Sequence, residues 1–488
     1  MKRVYYIIIG VAALLVVSVG CNRKPHDTVS TNTLPEIWPD YQEVTIPTGI
    51  APLNFAVRGA EKVYVEVKGS REGSMTASGR YADFDLKEWR HLLEANKGGR
   101  LDVHTYAYAD GKWMEYIPFP IYVSDDDLEA WGLTYRRIAP GYETYSSMGI
   151  YQRNLSNFDE FAILENTQVT GMCLNCHVSN RTNPSQMTLH VRGLHGGTFL
   201  QSGEERTWLN TKTDSTMGAC VYPYWHPSGR YCAYSTNATH QGFTENAAKG
   251  IEVYDDKSDI VILDLQKKAL FSCPQLRDSA WSENAPAFSP DGKWLYYITG
   301  KTVTMPDDYQ NQRYDLCRIA FDAERGTFGD TVDTLVCLSA EGKSATWPRP
   351  SYDGRYLVYT ETDYGYFSVW HPEARQWMLD LTTGERHLME NASAEGSYHN
   401  WSADSRWLVF TSRRETGLYS NLYLTHVDAS GHASKPFLLP QRNPDRYYTE
   451  ATWSFNTPDF TTEKVRFDHR KAGMLINANQ RDTLRWLY

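Results

Sequence analysis

One short pattern returns along the second half of this 488-residue chain and limits what it can fold into. Tyr224-Trp225-His226-Pro227-Ser228-Gly229-Arg230-Tyr231 recurs as Ala287-Phe288-Ser289-Pro290-Asp291-Gly292-Lys293-Trp294 and as Pro350-Ser351-Tyr352-Asp353-Gly354-Arg355-Tyr356. It returns again as Trp401-Ser402-Ala403-Asp404-Ser405-Arg406-Trp407, and Thr452-Trp453-Ser454-Phe455-Asn456 is a partial fifth copy. Each copy reads as strand, tight turn, strand. A third strand follows, such as Ile260–Leu265 or Asn421–His426, and a fourth such as Lys435–Leu439. Copies lie 51 to 63 residues apart, the period of propeller blades. One four-stranded blade cannot bury both faces, so the blades must close into a ring.

The W-S-P-D-G-K-like copies resemble the repeats of TolB-type (PD40, WD40-like) β-propellers across about Met187 to Asn456. Tyr352 and Ala403 stand where that pattern has proline, and Ser405 where it has glycine. The resemblance implies a non-catalytic propeller that docks a protein partner on one face. Five opening strands are visible and the family has six blades, so the expected count is five or six. Thr452–Asn456 is expected to close the ring against the strands of 187–211.

The expected fold is all-β, a β-sandwich-like domain at 35–159 followed by this propeller, with a C-terminal tail, at 187–488. In the first domain Val63–Val67, Val103–Tyr108 and Trp113–Val123 alternate like strands, and Ala109-Asp110-Gly111 marks a hairpin. One helix is expected after Asp85, its N-cap, with Glu88 completing a capping box and Phe84 stapling to Trp89. A second short helix is expected from Ser124 to Gly132, its acidic start Asp125-Asp126-Asp127 being a solvated first turn rather than a calcium loop.

The chain begins with Met1-Lys2-Arg3, an apolar run from Val4 to Val19, and Ser18-Val19-Gly20-Cys21. This resembles a lipoprotein signal of Bacteroidetes type, residues 1–21, and implies acylation of Cys21 and a membrane tether. The alternative is an uncleaved signal anchor. Residues 22–34 are a polar linker. Asn22-Arg23-Lys24 replaces the acidic run of surface-exposed relatives, so the expected place is the outer membrane, facing the periplasm. The formal net charge is −10 and no basic stripe is present, which argues against nucleic acid as a partner.

Between the two domains, at 160–186, lies a linking segment with Cys173-Leu174-Asn175-Cys176-His177. Cys-x-x-Cys-His is the spacing at which two thiols bond the vinyl groups of a c-type haem while the histidine ligates iron. Cys173, Cys176 and His177 are the expected attachment residues. Met187 or His190 is the preferred sixth ligand, with His195 and Met217 farther off. The same residues fit zinc as well, since Cys173 and Cys176 precede His190 and His195 at two-Cys, two-His spacing. Met187, Leu189 and Val191 also alternate with Thr188, His190 and Arg192 as in a strand, which makes Met187 a core candidate.

Of the other cysteines, Cys220, Cys232, Cys273, Cys317 and Cys337 form an odd set. Most are expected to be buried thiols in strands, because a hairpin centred on Ser228 sets Tyr224, not Cys220, opposite Cys232. No G-x-S-x-G elbow accompanies the propeller, which removes a peptidase. Glu283, Asp315, Glu361, Glu395 and Glu450 lie near predicted blade starts, but no signal selects a hydrolytic pair. Two expectations remain. One is a tethered haem c protein for electron transfer or redox sensing, and the other a non-catalytic scaffold whose Cys/His cluster holds zinc or nothing.

Overall fold

The computed structural model describes residues 23–140, 147–169, 171–243, 249–389 and 396–487. The leader and Cys21 therefore lie outside the described residues, as does Glu395. Two compact units emerge, Met1–Asp127 with Ser156–Phe158 and Phe437–Ala451, and Leu128–Leu155 with Asp159–Pro436 and Thr452–Tyr488.

The first unit is built on one seven-stranded sheet, with a two-stranded ribbon of Ile37–Trp38 and Ala56–Val57. Its centre is Lys62–Gly69 paired antiparallel with Arg100–Ala109 and with Ser74–Gly79. The hairpin forms as expected, with Asp110 and Gly111 both left-handed (φ 49 and 77). The helix runs Leu86–Ala95, and the Asp85 side chain accepts from the amides of Lys87 and Glu88. Phe84 stacks on Trp89 at 5.4 Å, the staple anticipated from their spacing. The second helix does not form. Ser124 Oγ instead accepts from Asp126 N at 3.0 Å, a local turn that competes with a helical one. Asp127 pairs with Lys97.

The second unit is a six-bladed propeller, the higher of the two counts expected from the repeats. It begins well before 187. The segment 160–186 is not a linker, because Glu160–Glu165 is the outermost strand of blade 1 and Met172–Asn180 the innermost strand of blade 2. Blade 1 takes Gly132–Ile138 and Met148–Asn154 from the N-terminal side, and Ser454–Thr461 becomes its innermost strand. The ring thus closes against Gly132–Ile138, not against 187–211. Blade 2 continues with Asn183–Gly193, Gly197–Ser202 and Glu205–Asn210. Blades 3 to 6 open at Cys220–Trp225, Trp281–Phe288, Ser344–Pro350 and Ser397–Trp401. The tail adds short parallel strands, Asp482–Thr483 beside blade 2 and Arg485–Trp486 beside blade 3.

The conserved look of the turns has a hydrogen-bond cause. Ser289 Oγ donates to Asp291 Oδ1 and accepts from Trp294 N, while Asp291 Oδ1 also accepts from Lys293 N. Ser351 with Asp353 and Ser402 with Asp404 repeat the arrangement. Gly292 has φ 73, and a Cβ there would meet His226 Nε2 at 2.3 Å, so glycine is required twice over. In the hairpin of blade 3, Trp225 rather than Tyr224 lies opposite Cys232, and Cys220 faces Thr236. Cys220, Cys232 and Cys317 are buried free thiols, whereas Cys337 is exposed.

Ser405 takes the glycine's place in the fourth copy and keeps its left-handed conformation, φ 60. It offsets the strain by accepting from Asp353 N at 3.0 Å. Ser405→Ala, which keeps the strain and loses the bond, should lower unfolding free energy by about 1 kcal/mol in urea titration. Ser405→Gly should fall within about 0.5 kcal/mol of wild type, because both terms vanish together.

Candidate functional site

Each innermost strand breaks register at a matching place, and each of these breaks carries one left-handed residue that is not glycine; blade 2 has a second break at Ser179/Asn180. The left-handed residues are Cys176 (φ 41), Tyr222 (50), Ala285 (51), Trp347 (55), Tyr398 (51) and Thr457 (45). The register shifts fall at Asn175/Val178, Val221/Tyr224, Asn284/Ala287, Thr346/Arg349 and Ser397/Asn400. In blade 1 the break lies between Thr134 and Arg136, opposite Thr457. A bulge of this kind turns the strand and aims one side chain at the axis. Cys176, Tyr222, Ala285, Trp347 and Tyr398 accordingly meet in one buried cluster. Tyr222 lies edge-on to Trp347 at 5.8 Å, and Trp347 to Tyr398 at 4.8 Å.

This frame aligns the Cys-x-x-Cys-His segment with the repeat. Cys176-His177 occupies the bulge filled elsewhere by Tyr222-Pro223, Ala285-Pro286, Trp347-Pro348, Tyr398-His399 and Thr457-Pro458. The copy begun at Thr452 is also corrected, since Asn456-Thr457-Pro458-Asp459-Phe460 matches Asn284-Ala285-Pro286-Ala287-Phe288 residue for residue in conformation. A repeat search keyed on the proline of the bulge, rather than on the turn, would have found the copy at Thr457-Pro458 but not Cys176-His177, where histidine replaces it. His399, the other histidine at this place, is a structural residue whose Nε2 bonds Val358 O at 2.9 Å.

The predicted ligands separate in the fold. Cys173, Cys176 and His177 are 7, 2 and 4 % exposed. Arg136 Nη2 lies 3.2 Å from Cys173 Sγ. Burial pushes the Cys176 thiol up and the His177 imidazole down to about 4, the carbonyl of Thr134 in blade 1 opposing the latter. Neither ring nitrogen of His177 completes a well-formed hydrogen bond, the Thr134 carbonyl being the acceptor felt there. Met187 is core, among Leu174, Leu189, Val191 and Phe199. His190 shares a strand face with Thr188, whose Oγ1 is 3.1 Å from Tyr234 OH of blade 3. His190 and His177 therefore face different neighbouring blades, and His195 sits on a turn beyond the strand. Among the described residues no three of His, Cys, Asp and Glu gather closely enough for a metal ion. The donor types suit a haem iron or zinc, and Cys173, Cys176 and His177 share one buried strand, with Met187 turned into the core beside it.

The carboxylate candidates do not pair either. Asp315 accepts from Ser339 N and Oγ, capping a turn. Glu450 lies in the first unit, and Glu361 is half-buried on blade 5. Glu283 is buried on blade 4, where burial and then Asp259 and Asp278 push its carboxyl up to about 8.

Sequence reasoning missed an aromatic recess in blades 3 to 5. Tyr254, Tyr309, Tyr314, Tyr364, Tyr366 and His371 line it. His240 stacks on Tyr254 at 5.5 Å, Tyr254 on Tyr309 at 5.0 Å, and Tyr309 meets Tyr364 edge-on at 5.9 Å. At its floor Asp255 is held by Asn237, Thr239, Asn284 and Tyr366. Tyr364 OH donates to Glu252 at 2.6 Å. These residues come from strands and loops outside the repeat, so periodicity does not reveal them.

Since Glu283 is protonated in the fold and ionised when unfolded, the folded state binds the extra proton between pH 4.5 and about 8. Its contribution to stability is intact below pH 4.5 and is lost progressively as pH rises through that window. Glu283→Gln should remove this slope and exceed wild type by roughly 2–4 kcal/mol at pH 8. Urea midpoints at pH 5, 6.5 and 8 measure it, and parallel curves for the two proteins would refute it.

No protein-family model matches the sequence, and no curated protein matches it. Solved structures do resemble the fold. TolB from Acinetobacter baumannii aligns over 77% of this chain and 85% of its own, at 12% identity and TM-score 0.43. A putative TolB from Agrobacterium tumefaciens aligns over 67% and 98%, at 13% identity and TM-score 0.37. Kuenenia stuttgartiensis hydrazine synthase aligns over 70% of this chain and 48% of its own, at 10% identity and TM-score 0.44.

Proposed function

We propose that this chain is a cell-envelope scaffold, lipid-anchored through Cys21 at the outer membrane, whose propeller docks a protein partner without transforming it. One observation carries the reading, the ring stack of exposed His240 with partly exposed Tyr254 and Tyr309, which Tyr364 meets edge-on beside Glu252. Tyrosines supply large rigid contact area at low entropic cost, and rings flanked by carboxylates suit a partner segment with an apolar or cationic side chain. Tyr222, Trp347 and Tyr398 pack together where the innermost strands converge.

A second reading keeps the covalent haem c. It is favoured by one feature, the buried His177 ring with both nitrogens unpartnered next to two free thiols. Bound haem would supply one-electron transfer. The hairpin Met172–Gly193 would have to leave its present packing to admit it.

Both readings are tested on the full chain made in a host with haem-attachment machinery. A photo-crosslinker replacing Tyr309 should capture one envelope protein, and Tyr254→Ala should abolish the adduct. An empty lane for the parent chain would end the docking proposal. No pyridine haemochrome is expected, and His177→Pro should fold and crosslink as the parent does, since proline fills this bulge in four blades. A red protein that bleaches in Cys173→Ala/Cys176→Ala would instead establish the second reading. Cys21→Ala should move the chain from the membrane to the soluble fraction.

A further inference from the structure

Two arginines converge on Cys173 without an anion to meet them. Arg192 lies directly opposite Cys173 in the hairpin of blade 2, so their side chains share one face. Arg136, from blade 1, reaches the same thiol from the other side, Nη2 to Sγ 3.2 Å. Its only other recorded partner is Met148 Sδ at 3.5 Å, and its Nε is buried with none. Among the described residues the Arg192 side chain has no hydrogen bond or ion pair, and no carboxylate forms an ion pair with either guanidinium. Asp255, the carboxylate whose charge is felt near Arg192, already accepts from four donors. His177 beside Arg136 is held neutral by burial and offers no charge.

Partly buried cations left to two sulfurs are poorly compensated, and their mutual repulsion adds to the cost. Both residues are partly exposed. Guanidinium pairs of this kind match an oxyanion that offers two or more acceptor oxygens. We propose that Arg136 and Arg192 form an anion site at the inner ends of blades 1 and 2, taking a carboxylate or phosphate group. The site is independent of the aromatic recess and of any haem. Cys173 marks its floor, which gives the first cysteine of the pentapeptide a role as a neutral, polarisable neighbour of the anion.

The full chain is melted in inorganic phosphate or in succinate, with chloride adjusted to constant ionic strength. Wild type should gain about 2–4 °C at 10 mM of a bound anion. The Arg136→Gln/Arg192→Gln double variant should gain nothing, and in anion-free buffer should melt no lower than wild type, having shed unpaired charge. A response to both probes identifies a site for acidic side chains or termini, and a response to phosphate alone a site for phosphorylated ligands. Absence of any shift in wild type, or an equal shift in the double variant, overturns the proposal. Should the double variant not fold, calorimetry on Arg192→Lys decides. It keeps the charge but loses the planar fork, so phosphate affinity should drop at least about tenfold, and undiminished binding refutes the site.

Discussion

The propeller depends on one strand arriving late. Ser454–Thr461 comes from the far end of the chain and pairs antiparallel with Gly132–Ile138, becoming the innermost strand of blade 1. It bonds to both neighbours. Asp459 Oδ2 accepts from Ser179 N of blade 2, Asn400 Nδ2 of blade 6 donates to Pro458 O, and Phe455 N donates to Ser420 O. Phe455 and Phe460 are both buried, each contributing about 1.5–3 kcal/mol of transfer free energy. Without this strand, blades 1 and 6 would expose facing edges, and every other blade contact would be one end of an open stack.

The axial bulges follow from that geometry. Six innermost strands converge and cannot all stay regular, so each spends one residue on a left-handed turn that aims a side chain inward. That conformation costs an L-residue about 1–2 kcal/mol, and glycine would relieve it. No blade uses glycine, because the inward side chain is what fills the axis. Tyrosine and tryptophan do so in blades 3, 5 and 6, alanine in blade 4, threonine in blade 1 and Cys176 in blade 2.

That geometry shows why the fold was legible and the site was not. The turns carry Ser, Asp and Gly for reasons of hydrogen bonding and φ, and those residues announce themselves by type. So do Asp85 and the Phe84–Trp89 staple of the first unit. The bulge imposes only a conformation on its first residue and the lack of a needed amide on its second, which tolerates Pro or His after Tyr, Ala, Trp, Thr or Cys. Blade 2, lacking the turn residues, therefore reads as chemistry rather than as a repeat. Blade 1 was hidden because its strands are separated by some three hundred residues, and hydrophobic alternation carries no pairing information over that distance. The failed helix at Ser124 is a smaller case, in which a serine that favours a helix start satisfied its neighbour locally instead.

Occupation of a bulge position does not by itself exhaust what the pentapeptide does. A residue needed only for packing is anchored by its surroundings, as His399 is through Nε2 to Val358 O, its Nδ1 staying open. His177 at the same place is not, with two buried ring nitrogens unpartnered. Asn175, by contrast, is used by the bulge itself, its Oδ1 accepting from Cys176 N at 3.0 Å. Asn284 accepts from Ala285 N at 2.8 Å in the same way. At this seam His177 and Arg136 both carry buried nitrogens without a hydrogen-bond partner, and the side chain of the adjoining Arg192 likewise lacks one. Polar groups left open together at one seam are what a chain retains for a ligand rather than for its own stability.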